Sequence, residues 1–338
     1  MLFPRYIVLL LTTACNLDCV YCYHNKRDSV QSMPMQVAIQ AIEMAAWTGL
    51  PFHVQLSGGE PTLESGIIEG IASFIKKSGL PVTIGIQTNG TVLDISLIKM
   101  FKHYDIQVGV SLDGPPDCHE KLRGKSVSTI RGLKFLSDHN LPFQVTCVVT
   151  GQNVAVMDQL ALLLGSFPMA RGLALDLLVC KGHALKNDCV RHPSPKELKN
   201  GLKKLMQALG WINANRSRQI KLRELESLKQ AVQKGNQPHF CHASKGEAIA
   251  IHPNGTIYPC AQTAGDPSFA CGTIDAPKEE NFYLLGEYSL QSKQCNDCPV
   301  FGFCPGDCPC RLYHNDAQAR YLACVIYQTL WKEYVKEF

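Results

Sequence analysis

No apolar run in this 338-residue chain approaches the ~18 residues that a membrane-crossing helix needs. An export signal is lacking as well. The stretch after Arg5, "YIVLLL" (6–11), is short and has no small-residue cleavage site behind it, and it reads as a buried strand. Charge of one sign is scarce. The 33 Lys and Arg against 29 Asp and Glu leave a net charge of +4. No basic run is interleaved with aromatics, which argues against nucleic acid as a partner. These absences point to a cytoplasmic protein with no membrane and no nucleic-acid partner. A hydrophobic content of 46% with 18% charged residues is enough for a sizeable core. The length allows two or three domains.

Cysteine, by contrast, is abundant, with sixteen in the chain. In a long chain without an export signal, closely patterned cysteines point to metal rather than to disulfides. Cys15, Cys19 and Cys22 lie in "LTTACNLDCVYCYH" at C-x3-C-x2-C spacing. A [4Fe–4S] cluster normally takes four thiolates. Three offered locally leave one iron to be ligated from afar or left open, as catalytic metal sites keep an open position.

Strand-like runs occur at 6–11, 52–57, 82–87, 106–111, 143–149 and 173–179. Most are continuous apolar or β-branched runs, as parallel strands covered on both faces should be. Helix-like segments at 33–49, 65–79 and 126–140 alternate with them. The expected fold is α/β: a partial (β/α)6 TIM-like barrel over 1–190. Residues 191–238 read as a helical linker with a solvated face. From 239 to 338, Gly, Pro, Asn and Cys become dense, and "EAIAIHPNGTIYPC" (247–260) signals a hairpin around Asn254-Gly255. A small cysteine-rich α+β domain is expected there.

The first cluster, with Tyr21 before its last cysteine and a strand before its loop, resembles the radical S-adenosylmethionine (SAM) superfamily. "LSGGEP" (56–61), "IQTNG" (86–90) and "VSLDG" (110–114) end successive strands, where barrel sheets place active sites. The resemblance implies that Cys15, Cys19 and Cys22 hold a SAM-binding cluster. It implies SAM contacts from Tyr21, Gly58, Gly59, Glu60, Thr88, Asn89, Ser111 and Asp113. Arg123 stands where relatives place an arginine near the SAM carboxylate, a task its planar fork suits.

The later cysteines read C-x13-G-x4-C, then C-x2-C-x5-C-x3-C, then C. This is similar to the SPASM extension of peptide- and protein-modifying radical SAM enzymes, which binds two auxiliary [4Fe–4S] clusters. The resemblance implies Cys295, Cys298, Cys304 and Cys324 for the outer cluster and Cys241, Cys260 and Cys308 for the inner. Cys271 is the expected fourth inner ligand; Cys310 or an open iron are the alternatives. Three clusters would hold roughly twelve irons. Cys147 reads as core, and Cys180, ending the sixth strand, as a possible hydrogen donor.

The expected activity is reductive cleavage of SAM to a 5′-deoxyadenosyl radical and hydrogen abstraction from a ribosomally made peptide or protein, with oxidative cross-linking or maturation as outcome. Alternatives are a peptide epimerase, with Cys180, Cys118 or Cys271 as thiol donor, and a maturase or decarboxylase of a tetrapyrrole or small cofactor precursor. Outside enzymes, the alternative is an iron–sulfur electron carrier or scaffold. Ala261 stands where sulfatase-maturing relatives carry an aspartate base, which argues against that base here. The chain reaches its first strand by Tyr6, so leader recognition is expected from the barrel, the extension or a separate leader-binding protein. A flavodoxin- or ferredoxin-type electron donor is implied.

Overall fold

The computed structural model describes residues 4–24, 30–187, 189–288 and 295–335. Six parallel strands form where the apolar runs predict them: β1 (Tyr6–Leu10), β2 (Phe52–Ser57), β3 (Val82–Thr88), β4 (Gln107–Ser111), β5 (Phe143–Val149) and β6 (Ala170–Leu177). They pair in sequence order, each with the next. Helices cross over between them: α1 (Met35–Ala46), α2 (Ser65–Ser78), α3 (Ile95–His103), α4 (Pro116–Leu122), α5 (Ser126–Asp138) and α6 (Met157–Gly165). Their ends follow local chemistry. Asp94 caps α3 through the Leu97 N–H at 2.8 Å, and Gly79 closes α2 in the left-handed region.

The sheet is longer than the six strands expected. A two-residue β7 (Lys221–Leu222) pairs with β6 at one edge. At the other edge β8 (Ala248–Ile251) pairs in parallel with β1, and β9 (Ile257–Tyr258) turns back on β8. The turn is the expected one at Asn254-Gly255, with Gly255 at φ 83°. The cysteine-rich segment therefore extends the barrel sheet. It is joined to β1 by backbone hydrogen bonds rather than standing apart.

The 191–238 segment is no solvated linker. α7 (Pro195–Ala214) opens with a capping box between Ser194 and Glu197. Its stripe of Leu198, Leu202, Leu205, Leu209 and Ile212 is buried, packed between α6 and α10 (Ala317–Val335). α8 (Arg223–Lys234) buries Leu225, Leu228 and Ala231. The short α9 (Pro309–His314) precedes α10. One continuous apolar core runs from β1–β6 through α7 and α8 to Leu322, Ile326 and Leu330 of α10. Among the described residues, no helix is long and apolar enough to cross a membrane.

Candidate active site at the strand ends

The loop carrying Cys15, Cys19 and Cys22 follows β1 and is fastened from three sides. Beneath it, the Gly59 N–H donates to the Thr12 carbonyl and the Glu60 N–H to the Ala14 carbonyl, both at 2.8 Å. The approach is close: a Cβ on Gly59 would lie 2.0 Å from the Ala14 oxygen, and one on Gly58, at φ 131°, 2.5 Å from that of Thr12. Only glycines permit it. Laterally, Asn89 Nδ2 donates to Asn16 Oδ1, and Asn16 Nδ2 to Thr91 Oγ1, both at 2.8 Å. Behind, the His183 N–H donates to the Cys22 carbonyl at 2.8 Å. Gly182, at φ 64°, leaves room there; a Cβ would meet the Cys22 oxygen at 2.6 Å.

Glu60 is 1% exposed. Its Oε1 accepts from the Thr62 N–H at 3.1 Å, the Thr62 hydroxyl at 2.5 Å and the Thr88 hydroxyl at 2.6 Å; Oε2 accepts from the Asn89 N–H at 2.7 Å. Burial pushes its acidity range upward, and these bonds oppose the shift. The carboxylate thus braces the ends of β2 and β3. Ser111 accepts from Gln87 Nε2 at 3.0 Å at the end of β4.

Asp113 is also buried. Oδ2 accepts from Arg123 Nε at 2.7 Å and from the Tyr21 hydroxyl; Oδ1 accepts from the Val148 N–H at 2.9 Å. The Arg123 guanidinium lies 5.2 Å from the Tyr21 ring centroid. Among the described residues, its two terminal nitrogens make no hydrogen bond. Asp113 therefore aims Arg123, and the outer edge of the fork is free for a carboxylate. Asn153 locks this corner, donating to the Asp113 carbonyl at 3.0 Å and that of Val148 at 2.8 Å.

The structure gathers the other cysteines as well. Cys19 is pushed up to about 11 by burial and by the charges of Cys22, Asp113 and Cys15, against Arg123. Cys304 goes to about 12, by burial and the charges of Cys324, Cys298 and Cys295, and Cys324 to about 11, by burial and those of Cys295, Cys298 and Asp307. Cys260 is pushed up to about 11 by burial and Cys241; Cys308 is raised by burial, Cys260 and Cys241. These thiols, most of them half-buried, thus fall into three groups whose members repel one another when ionised. A multi-iron cluster fits them, since soft thiolates select it and each holds a separate iron. Among the described residues, no three such side chains converge on one position for a single ion. Main-chain N–H groups already point at sulfur: Leu17 to Cys15 at 3.5 Å and Gly306 to Cys304 at 3.4 Å.

Cys271 is wholly buried in the apolar core, its thiol donating to the carbonyls of Phe269 and Asn281 at 3.4 and 3.3 Å. Cys180 stands just beyond β6, with its sulfur 3.2 Å from His192 Nε2 and its N–H on Asn315 Oδ1 at 2.9 Å. Burial raises the thiol and lowers the imidazole, so both are neutral at pH 7. Cys147 is core, as expected. Sequence reasoning missed Asn16, Asn153, Gly182, His192 and Asn315, which are single polar or small residues outside any motif.

Residues 9–164 match the family model of the radical SAM superfamily. They are a radical SAM domain. The chain is 28% identical over 269 residues to an uncharacterised protein of Methanocaldococcus jannaschii, covering 77% of this chain and 86% of that one. It is 25% identical over 300 residues to a cysteine-type anaerobic sulfatase-maturating enzyme of Clostridium novyi, covering 82% and 73%. Its fold is that of native anSMEcpe with bound AdoMet and Cp18Cys peptide, with TM-score 0.77, 21% identity, and 99% and 97% of the two chains covered. It is also that of Streptococcus suis SuiB bound to precursor peptide SuiA, with TM-score 0.69, 16% identity, and 96% and 75% covered. The radical SAM domain implies SAM and one [4Fe–4S] cluster. Cys15, Cys19 and Cys22 lie inside the matched span, as do the Gly58–Glu60 clamp and the Arg123 fork.

Proposed function

We propose that this chain is a radical SAM enzyme with a SPASM extension that modifies a ribosomally made peptide or protein by oxidative cross-linking or maturation. The observation that carries it is the uncommitted outer edge of Arg123, buried beside Cys19 and aimed by Asp113 and Tyr21. When bound, the first cluster supplies the electron that cleaves SAM to methionine and a 5′-deoxyadenosyl radical. The chain's part is to hold and dry that site. Cys15, Cys19 and Cys22 would hold the cluster, and Arg123 would take the SAM carboxylate. Gly58, Gly59, Thr88, Asn89 and Ser111 line the strand-end rim on which Glu60 fixes the geometry. Residues 239–338 form the extension with two auxiliary clusters, the outer one on Cys295, Cys298, Cys304 and Cys324. Such clusters would supply a sink for the electron left by substrate oxidation. The peptide-bound titles of anSMEcpe and SuiB support a peptide substrate. A flavodoxin- or ferredoxin-type protein is the electron source.

The test is anaerobic reconstitution followed by SAM and dithionite. 5′-Deoxyadenosine should form, and Cys15→Ala, Cys19→Ala and Cys22→Ala together should abolish it while removing about four irons. No deoxyadenosine from the intact chain sinks the reading. With a candidate peptide, a product lighter by two hydrogens supports cross-linking. The Cys180–His192 contact favours one second reading, epimerisation with a thiol hydrogen donor; it predicts unchanged mass and deuterium uptake from solvent.

A further inference from the structure

We propose that the inner face of the barrel is a binding channel for a stretch of substrate peptide that carries no charged side chain. The inference rests on the peptide-modifying reading given above and adds which part of a peptide the barrel accepts. Closed barrels fill their interior with layers of Val, Ile and Leu. Here such residues lie on the opposite face: Val54, Leu56, Ile84, Ile86, Val108 and Val110 are buried in the core shared with the helices. The residues between them point inward and alternate between glutamine and glycine. One rung, across β2, β3 and β4, is Gln55, Gly85 and Gln107. The next, across β3 to β6, is Gln87, Gly109, Gln144 and Gly172. Each glycine makes room for an amide. A Cβ on Gly85 would lie 2.9 Å from Gln55 Oε1, one on Gly109 2.4 Å from Gln87 Oε1, and one on Gly172 3.3 Å from Gln144 Cγ. The glutamines therefore lie flat across the sheet and leave the space above them open. Gln55 and Gln87 are half-buried and Gln144 is exposed, so the channel is wet rather than packed.

Two of these amides have capacity to spare. Gln55 is engaged, accepting from the Tyr6 hydroxyl at 3.2 Å and donating to the Leu56 carbonyl at 3.3 Å. Gln87 donates to Ser111 at 3.0 Å, but among the described residues its Oε1 makes no hydrogen bond, and the Gln144 side chain makes none at all. Ser111, Thr146 and Ala174 form the rung above. The free amides thus stand about 7 Å beneath the strand-end rim. Charge is nearly absent. Asp176 is held by Arg223 at 3.1 Å and Arg311 at 3.8 Å. Arg171, at the foot of β6, turns back to the carbonyls of Pro168 and Ala170 at 2.5 and 3.1 Å. Burial makes His53 less basic, so it is neutral at pH 7. Neutral amides donate and accept alike. They match the N–H and C=O groups of an extended peptide, which must be paired on leaving water. A carboxylate or an ammonium entering the channel would lose hydration without gaining a counter-charge. The channel therefore discriminates against a carboxylate-rich macrocycle as well as against a charged peptide segment.

The experiment uses the full chain, reconstituted anaerobically, with SAM present. Three probes are offered separately. The first is a pool of end-capped peptides without charged side chains. The second is the same pool with one central Glu or Lys. The third is coproporphyrin III, a tetracarboxylate. Bound probe is counted by mass spectrometry after rapid gel filtration. The wild type should retain the uncharged pool alone. Gln144→Leu removes a free amide from a solvent-exposed position and should lower that retention at least about tenfold. Its iron content, melting and peptide-free SAM cleavage should match the wild type. Gly109→Ala, whose Cβ displaces the Gln87 amide, should lower retention as well. The channel is overturned if the wild type retains the charged pool or coproporphyrin III as strongly as the uncharged pool. It is equally overturned if the uncharged pool is not retained, or is retained undiminished by both variants. No deoxyadenosine from the intact chain would instead overturn the radical SAM reading beneath it.

Discussion

Asp113 carries the largest burden of any single side chain at the strand ends, because it neutralises Arg123 in a largely buried place. Its side chain is 0% exposed and that of Arg123 11%. Replacing it by asparagine leaves a buried guanidinium without its counter-charge, which costs about 3–5 kcal/mol. Tyr21→Phe removes one hydrogen bond to the same carboxylate and should cost about 1.5–3 kcal/mol. Denaturant unfolding of the reconstituted protein checks the order. Equal losses would mean that Tyr21, not Arg123, holds Asp113. His119 gives a pH signature in the same corner. It is wholly buried, accepts from the Asp113 N–H at 3.3 Å, and burial lowers its pKa to about 4. The unfolded chain takes up a proton near pH 6.5, and the folded chain does so only near pH 4. Stability from this group is therefore whole above pH 6.5 and is lost as pH falls through 4. Between pH 7 and 5 the wild type should lose about 2 kcal/mol more than His119→Gln. Parallel losses would show that the imidazole protonates in place.

At the level of elements, the backbone clamp between the Gly58–Glu60 turn and the cysteine loop separates site geometry from general stability. Gly59→Ala puts a Cβ 2.0 Å from the Ala14 carbonyl oxygen, and the loop must move. Deoxyadenosine formation should fall at least about tenfold, a barrier change of roughly 1.4 kcal/mol, with iron loss confined to the first cluster. Gly66→Ala, in the first turn of α2 with nothing within 4 Å of the added carbon, should instead stabilise by about 0.5–1 kcal/mol. Iron analysis and melting of both variants decide it. The motifs that make this clamp were legible in the sequence because glycines and thiolates at strand ends have few other uses. Their geometric roles were less so. Glu60 and Asp113 read as SAM contacts, yet both carboxylates accept several protein donors, and of these Thr88, Asn89 and Val148 are distant in the chain. The six strands were legible from continuous apolar runs. β7 is two residues long, and the β1–β8 pairing joins segments some 240 residues apart, so neither leaves a local signal.

For the molecule as a whole, the question is whether the cysteine-rich part is an appendage or part of one folding unit. α10 buries Leu322, Val325, Ile326, Tyr327 and Leu330 against the core that α7 shares with the barrel. At about 2 kcal/mol per buried side chain, these contribute roughly 10 kcal/mol. That is comparable with the whole stability of a typical domain, ~5–15 kcal/mol. Ending the chain at Asp316 should therefore leave little soluble protein, because the stripe of α7 is uncovered along with the core beneath it. Cys324 lies on the same helix, so loss of an outer-cluster ligand could be mistaken for loss of packing. Cys324→Ala distinguishes them. It removes the ligand and keeps the apolar face, and should give soluble protein with the barrel intact and up to about four fewer irons. Soluble, SAM-cleaving protein from the truncated chain would instead show that the barrel folds without its C-terminal helix and that the shared core is dispensable. Aggregation of both variants would assign the stabilising role to the metal rather than to the helix.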